Sequence, residues 1–333
     1  MSHMSPELIA ELDHAVTKRN LQCVAEEIRK NATECYALIA EGNDDYSTIG
    51  NTRFGGDPDL PSDIRWPSVD YDGEERFCNF IAQINFAELP PLASETGLPS
   101  HGILYLFVRD MDCAAWPVDL EARYFEGALE TLSRTQSPDP DSLLDEYLVD
   151  LIPQRIRAVP AVSLANYRKQ FRQHIEENVR EIDGEDGDSR RFDLDCDLNR
   201  EGQIGQLLGF ANAGDERKNL YRQVALSQLG KRHLDDCDYW DSMEEYEADI
   251  EKWQNNEQLV KNYQGMREGV EWLTSNREMI ADEVDQWRLL FQLQSNSQMN
   301  LNINDADPLY VFIKHTDLMN RNFSDIAGEV TQG

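Results

Sequence analysis

Phe80-Ile81-Ala82-Gln83-Ile84, followed by Gly102-Ile103-Leu104-Tyr105-Leu106-Phe107-Val108, is the stretch whose reading decides the fold. Both runs have strand length and strand chemistry. Their unbroken apolarity predicts strands buried on both faces. The pattern returns near the other end of the chain. Leu289-Leu290-Phe291-Gln292-Leu293 repeats the first run with Gln292 aligned on Gln83, and Leu309-Tyr310-Val311-Phe312-Ile313 repeats the second. From glutamine to tyrosine the gap is 22 residues in the first copy and 18 in the second. Two matches in the same order, sharing a mid-strand glutamine and a Leu-Tyr-x-Phe core, point to duplication. The expected fold is therefore α+β, with mixed or mostly antiparallel sheets in two pseudo-duplicated halves, about 51–165 and 200–326. A buried mid-strand glutamine needs partners, so Gln83 and Gln292 are expected to cross-brace the halves.

Upstream, residues 1–50 read as an N-terminal helical segment. Met1-Ser2-His3-Met4 has the look of a cloning remnant, with Met4 the expected native start. Ser5-Pro6 is an N-cap followed by proline at the first helical position. Leu8, Ile9, Leu12 and Val16 share a face, and Leu21, Val24, Ile28, Ala32, Cys35 and Ile39 continue the three-four spacing to about Ala40. Gly50, Gly55, Gly56, Pro58, Pro61 and Pro67 then exclude helix and predict a shaped loop. Ala122 to Phe125 and Ile156 to Val162 read as strands, and Tyr167 to Ile182 as a helix. Asp193, Asp195 and Asp197 mimic the opening of a calcium loop. The sixth position is Leu198 and the twelfth Ile204, so they read instead as a solvated acidic strand end. Residues 327–333 read as a tail.

The 333 residues include 31 basic and 63 acidic ones, a net charge of 31 − 63 = −32. With 40% hydrophobic and 9% aromatic residues there is material for a sizeable core, which separates the chain from a disordered acidic tail. Such a field repels phosphate backbones and anionic lipid, so direct nucleic-acid and membrane binding are excluded and a basic protein is the natural partner. No apolar run approaches the roughly 20 residues of a membrane helix. No secretory signal is legible, and the six cysteines (Cys23, Cys35, Cys78, Cys113, Cys196, Cys237) are dispersed; the cytoplasm is the expected compartment. Acidity is concentrated between Leu234 and Glu257, where ten acids face one lysine. Trp240, Met243, Tyr246, Ile250 and Trp253 recur there every three or four residues, which predicts a solvated helix with its back to a core. As a docking surface, its anchors would be Trp240, Tyr246 and Trp253. Its steering charges would be Asp235, Asp236, Glu244, Glu245, Glu247, Asp249 and Glu251.

No phosphate loop, dinucleotide fingerprint, nucleophile elbow or zinc-protease helix occurs, so no catalytic residue, metal or cofactor is expected. Arg53 has two readings. Its planar fork suits an anionic ligand, with Gln83 and Gln292 as companions. The preferred reading is an intramolecular salt bridge that pins the loop. Mimicry of nucleic acid by the acidic surface is a third, weaker idea.

Arg53-Phe54-Gly55-Gly56-Asp57-Pro58-Asp59-Leu60-Pro61, Trp66-Pro67 and the two strands after them resemble the YwqG-like family, a bacterial domain of unknown function. Gln206-Leu207-Leu208-Gly209-Phe210, Trp287 to Leu293, and Asp317-Leu318 with Arg321-Asn322-Phe323 resemble its later motifs. The resemblance runs from about Arg53 to Ile326. It implies an α+β fold with duplicated halves and no established activity. Some members resemble proteins associated with bacterial toxin systems, where a cognate immunity protein blocks a secreted toxin. Joined to the charge, this gives the functional expectation: a non-enzymatic, acidic cytoplasmic binding protein of immunity type that neutralises a basic toxin or effector. The alternative is a small-molecule binder or enzyme with its site between the halves, at Arg53, Gln83 and Gln292.

Overall fold

The apolar runs that dominate the sequence become strands of one sheet in the computed structural model, which describes residues 4–110, 118–145, 148–183, 187–211, 219–240, 242–303 and 306–330. The chain divides into two compact units, Met1–Lys218 with Arg288–Gly333, and Asn219–Trp287.

The first unit opens with α1 (Pro6–Lys18) and α2 (Ala25–Lys30), followed by β1 (Ala32–Asn43), β2 (Arg53–Phe54), β3 (Asp59–Pro61), β4 (Ser68–Tyr71) and β5 (Glu74–Phe77). Then come β6 (Asn79–Asn85), β7 (Ile103–Asp110), β8 (Asp119–Phe125), β9 (Leu132–Arg134), β10 (Gln154–Leu164), α3 (Lys169–Asp183), α4 (Gly187–Leu198) and β11 (Gln203–Leu207). The second unit supplies α5 (Leu220–Gln228), α6 (Met243–Lys252), α7 (Glu257–Ser275) and α8 (Arg277–Val284). The chain closes with β12 (Trp287–Leu293), β13 (Leu309–Lys314), α9 (His315–Met319) and β14 (Ile326–Val330).

Ten strands form one sheet in the order β14-β13-β12-β11-β1-β10-β2-β6-β7-β8. Exchanging β1 with β10, β2 with β11, β6 with β12, β7 with β13 and β8 with β14 reproduces that order from the other edge. The halves are thus related about the central β1–β10 pair, and the first strand of each half hydrogen-bonds to the second strand of the other. The sheet curls until its edges meet, where Val118 N–H donates to Gly328 O at 3.0 Å. Leu38, Phe54, Ile84, Leu106, Phe291, Val311 and Val330, from strands all round the sheet, share one buried cluster inside this ring. Phe54 and Phe291 meet edge-to-face across it, their centroids 5.3 Å apart.

Two boundaries differ from the sequence reading. Residues 32–43, expected to continue the N-terminal helix, form the central strand β1. Cys35 to Leu38 are buried in succession, and a run apolar on every side satisfies helical spacing as readily as strand spacing. Residues 327–330, expected as tail, belong to β14. The N-cap at Ser5 is present, its Oγ accepting from Leu8 N–H. The helices α1 to α4 bury Leu12, Ile28, Phe171, Ile175 and Leu194, with Leu21 from the connection between α1 and α2, against Val162 and Leu164 of β10. The aspartate triplet lies on α4 rather than at a strand end. Asp193 and Asp197 pair with Arg19, and Asp197 also with Lys18. Cys113 lies outside the described residues, and the other five cysteines are free thiols.

Candidate functional site

Two regions hold the residues singled out from the sequence. In the first, β2 is followed by Gly55 and Gly56, both left-handed at φ 70° and 68°, a conformation glycine adopts without steric cost. This reversal, with Pro58 after it, sends the chain back so that β3 pairs with β9, Asp59 opposite Arg134. Arg53 is left with no exposed surface. Its guanidinium donates to Asp59 Oδ2 at 3.0 Å, Asp57 O at 2.7 Å and Asn51 Oδ1 at 3.1 Å, and lies 3.5 Å from Asp44 Oδ2. Asp59 also accepts from Arg134 Nε at 2.5 Å, Gly50 N–H at 2.9 Å and Gln83 Nε2 at 2.9 Å. Gln83 Oε1 accepts from Asp59 N–H at 2.8 Å, and Tyr105 Oη donates to Asp59 O. Both guanidinium groups lie over the Tyr46 ring, at 5.0 and 4.0 Å from its centre; Arg53 Nε and Arg134 Nη2 find no acceptor among the described residues.

Two arginines thus balance two aspartates in a buried, hydrogen-bonded quartet. Burial pushes the Asp59 carboxyl up, but the bonds from Arg134, Gln83 and Gly50 and the Arg53 charge outweigh it and hold it below the usual carboxylate range. This is the intramolecular salt bridge, and it takes up both terminal nitrogens of the Arg53 guanidinium. Gln83 belongs to it; Gln292 does not. Gln292 faces Gln206 across the β11–β12 pair, with β2, β10, β1 and β11 between it and Gln83. The two glutamines hold symmetric places in the two halves and do not brace one against the other. Asp44, Asn51, Asp59 and Arg134 escaped the sequence reading. The alternation of Asp57 and Asp59 beside Arg53 was the only local signal for the pairing, and Arg134 joins through long-range strand pairing alone.

The second region is the unit Asn219–Trp287, a helical insertion between β11 and β12. Its core holds Leu226, Cys237, Trp240, Tyr246, Val270, Leu273 and Ile280. The acidic stretch is not one helix. A tight turn over Arg232–Cys237 precedes α6, which Ser242 caps by accepting from Glu245 N–H at 3.1 Å. Of the three expected anchors, Trp240 and Tyr246 are buried. Trp240 stacks edge-on against Tyr246 and Tyr263, and Tyr246 Oη donates to Tyr263 O at 2.7 Å. Three-four spacing selects the inward face of a helix, so it selected core residues. Trp253 is 41% exposed, and Tyr239, which that spacing passed over, is 72% exposed.

The expected steering charges divide similarly. Asp249 accepts from Trp240 Nε1 at 3.1 Å, Asp235 from Gln223 Nε2 at 3.1 Å, and Glu247 pairs with Arg267 at 2.9 Å. Asp236, Glu244, Glu245 and Glu251 are exposed. Among the described residues no group of three or more His, Cys, Asp or Glu side chains is placed to hold a metal ion. No helix among them is long and apolar enough to cross a membrane.

Residues 52–330 match the family model described as a domain of unknown function, DUF1963. The match takes in the quartet loop, the helical insertion and all of β14, but starts after β1, the strand that completes the centre of the sheet. No curated protein matches the chain.

Proposed function

The chain belongs to the DUF1963 family over residues 52–330, and from that premise, which carries no activity, we propose a non-enzymatic cytoplasmic binding protein whose partner is a basic protein. An immunity-type role, capture of a basic toxin or effector, is the form of that reading to which the YwqG-like motifs lend weight. The observation that carries it is the surface of the unit Asn219–Trp287. There the exposed carboxylates of Asp236, Glu244 and Glu251 accompany the exposed rings of Tyr239 and Trp253. Complementary charge speeds encounter and selects partners, whereas affinity comes from apolar anchors that become desolvated. A −32 chain supplies the field, and the two rings supply the anchors.

The test is affinity capture from the source cell's lysate with the wild-type chain and with an Asp236→Lys, Glu244→Lys, Glu251→Lys variant. Salt of about 50 and 300 mM brackets the range over which surface charge is screened. The wild type should retain one basic protein at the lower salt. The variant, folded by circular dichroism, should bind the purified partner with an association rate lower by about tenfold or more. Equal rates would remove this surface from the assignment, and an empty capture at both salts would remove the partner.

A further inference from the structure

The ribbon of β4 and β5 forms a two-stranded sheet of its own. Its turn, Asp72-Gly73, is left-handed at both residues, φ 53° and 84°, the signature of a two-residue hairpin. Tyr71 faces Glu74, Asp70 faces Glu75, Val69 faces Arg76 and Ser68 faces Phe77. In such a hairpin the residues flanking the turn exchange both hydrogen bonds, and the alternation then points the backbone of Ser68, Asp70, Glu75 and Phe77 outward. On the β5 side that edge is occupied: Phe77 O accepts from Leu144 N–H at 2.9 Å, and Arg76 reaches Asp141 O. On the β4 side the outward groups of Ser68 and Asp70 meet no backbone partner among the described residues. Ser68, Asp70 and Tyr71 are exposed, Tyr71 to 60%.

We propose that this open edge takes up an extended, basic peptide segment as a third strand along β4. The ribbon carries Asp70, Asp72, Glu74 and Glu75 with one cation, Arg76, which lies 3.8 Å from Glu74. Charges of one sign prevent two such acidic edges from pairing, so copies of this chain do not join through it. The same charges favour a strand carrying lysine or arginine at alternate positions. Main-chain hydrogen bonds then supply affinity and the alternate side chains specificity, with the Tyr71 ring open to a cationic side chain. The inference rests on the reading of a basic partner and adds a contact outside the helical insertion.

The test uses the full chain and a dye-labelled acetyl-(Lys-Val)4-amide, followed by fluorescence anisotropy at about 50 mM salt. A second peptide is N-methylated at alternate residues, which keeps the charge and removes one row of strand-pairing N–H groups. The unmethylated peptide should bind about tenfold more tightly or better. Asp70→Pro, which deletes an outward N–H at a place where an edge strand accepts proline, should weaken it by a similar factor. The Asp236→Lys, Glu244→Lys, Glu251→Lys variant should bind it like the wild type. Equal affinity for the two peptides, or no binding of either, overturns the proposal. Binding lost in the triple variant but kept in Asp70→Pro also overturns it, while leaving the helical insertion standing as the docking surface.

Discussion

The turns after β2 and β11 occupy the same place in the two halves, and they share a backbone while differing in chemistry. Arg53 faces Gln83 and Gln206 faces Gln292. Gly55 N–H donates to Ile81 O at 2.7 Å, and Leu208 N–H donates to Leu290 O at 3.0 Å. Gly55-Gly56 and Leu208-Gly209 are both left-handed pairs. In the first half the second residue before the turn is Arg53, balanced by buried aspartates. In the second it is a glutamine whose Nε2 donates to Leu208 O at 2.7 Å and Phe210 O at 3.0 Å. The turn itself therefore does not require charge. What differs is the chain that follows it. Residues 57–61 fold back so that Asp59 to Pro61 pair with β9, whereas Gln206 holds the carbonyls of its own turn and Ser163 Oγ of β10 at 3.4 Å. The most specific motif in the sequence is a device for fixing a loop.

Removing each partner should separate the two most strongly. Arg53→Ala leaves Asp59 and Asp44 buried beside one arginine instead of two, and breaking a buried pair from one side costs about 3–5 kcal/mol. Gln206→Ala takes the Nε2 donor from Leu208 O, while Phe210 O keeps Ser163 Oγ, a cost of about 1–3 kcal/mol. Urea denaturation of the single and double variants should show the two losses adding, since the sites share no partner. An Arg53→Ala chain within about 1 kcal/mol of wild type would contradict the quartet's structural role and return Arg53 to the ligand reading.

The glycines sharpen the comparison at smaller amplitude. A Cβ on Gly56 would run into the Tyr46 hydroxyl and Pro153. One on Gly209 would meet Gln206 Nε2 and Ser163 Cβ at 2.8 Å and Cys35 Cβ at 2.9 Å. Alanine at either place should cost roughly 2–4 kcal/mol, from left-handed strain plus overpacking. Gly55 stands where the second half carries Leu208, so that position already tolerates a side chain in one copy. A Cβ on Gly55 would lie 3.0 Å from Leu151 Cβ and 3.3 Å from Ile152 O, a milder crowding than at the other two. Gly55→Ala should therefore cost the left-handed term plus a small packing term, about 1–3 kcal/mol. Melting temperatures that rank Gly55→Ala as the worst of the three would break the equivalence of the turns.

The duplication was legible because β6, β7, β12 and β13 are local apolar runs, and a repeat of local pattern survives without any knowledge of pairing. The central β1 was not, since Cys35 to Leu38 is apolar on every side and helical spacing described it equally well. The α+β class and the loop at Gly55-Gly56 follow from composition and from glycine and proline chemistry. The quartet was half legible. Arg53 and Gln83 stood out, whereas Asp44, Asn51 and Arg134 arrive through contacts that no short window contains. In the acidic insertion the periodicity found the buried stripe and thereby misassigned Trp240 and Tyr246 as anchors. The exposed Tyr239 has no periodic signal because it lies in the turn before α6.

A second, largely enclosed carboxylate tests whether direct contact with a guanidinium decides the state of such groups. Asp195, on α4, lies 3.8 Å from Arg191 and accepts from Asn166 Nδ2. Burial pushes its carboxyl up to about 7, and Arg191 and Asn166 offset this only in part. Asp59, bonded directly to two guanidinium groups, moves the other way. The two therefore act on stability in opposite senses. Asp59 contributes above the unfolded value near 4 and loses that contribution as the pH falls through its lowered folded value. Asp195 takes up a proton on folding between about 4 and 7, so stability falls as the pH rises through that window and the loss is complete above it. Between about pH 5 and 6.5 only Asp195 of this pair is titrating, with a slope of up to roughly 1.4 kcal/mol per pH unit. Relative to Asp195→Asn, the wild type should lose up to about 2 kcal/mol across that interval in urea denaturation. Parallel profiles would mean that Arg191 holds Asp195 ionised across the 3.8 Å gap, and that proximity to an arginine suffices without the direct bonds Asp59 receives.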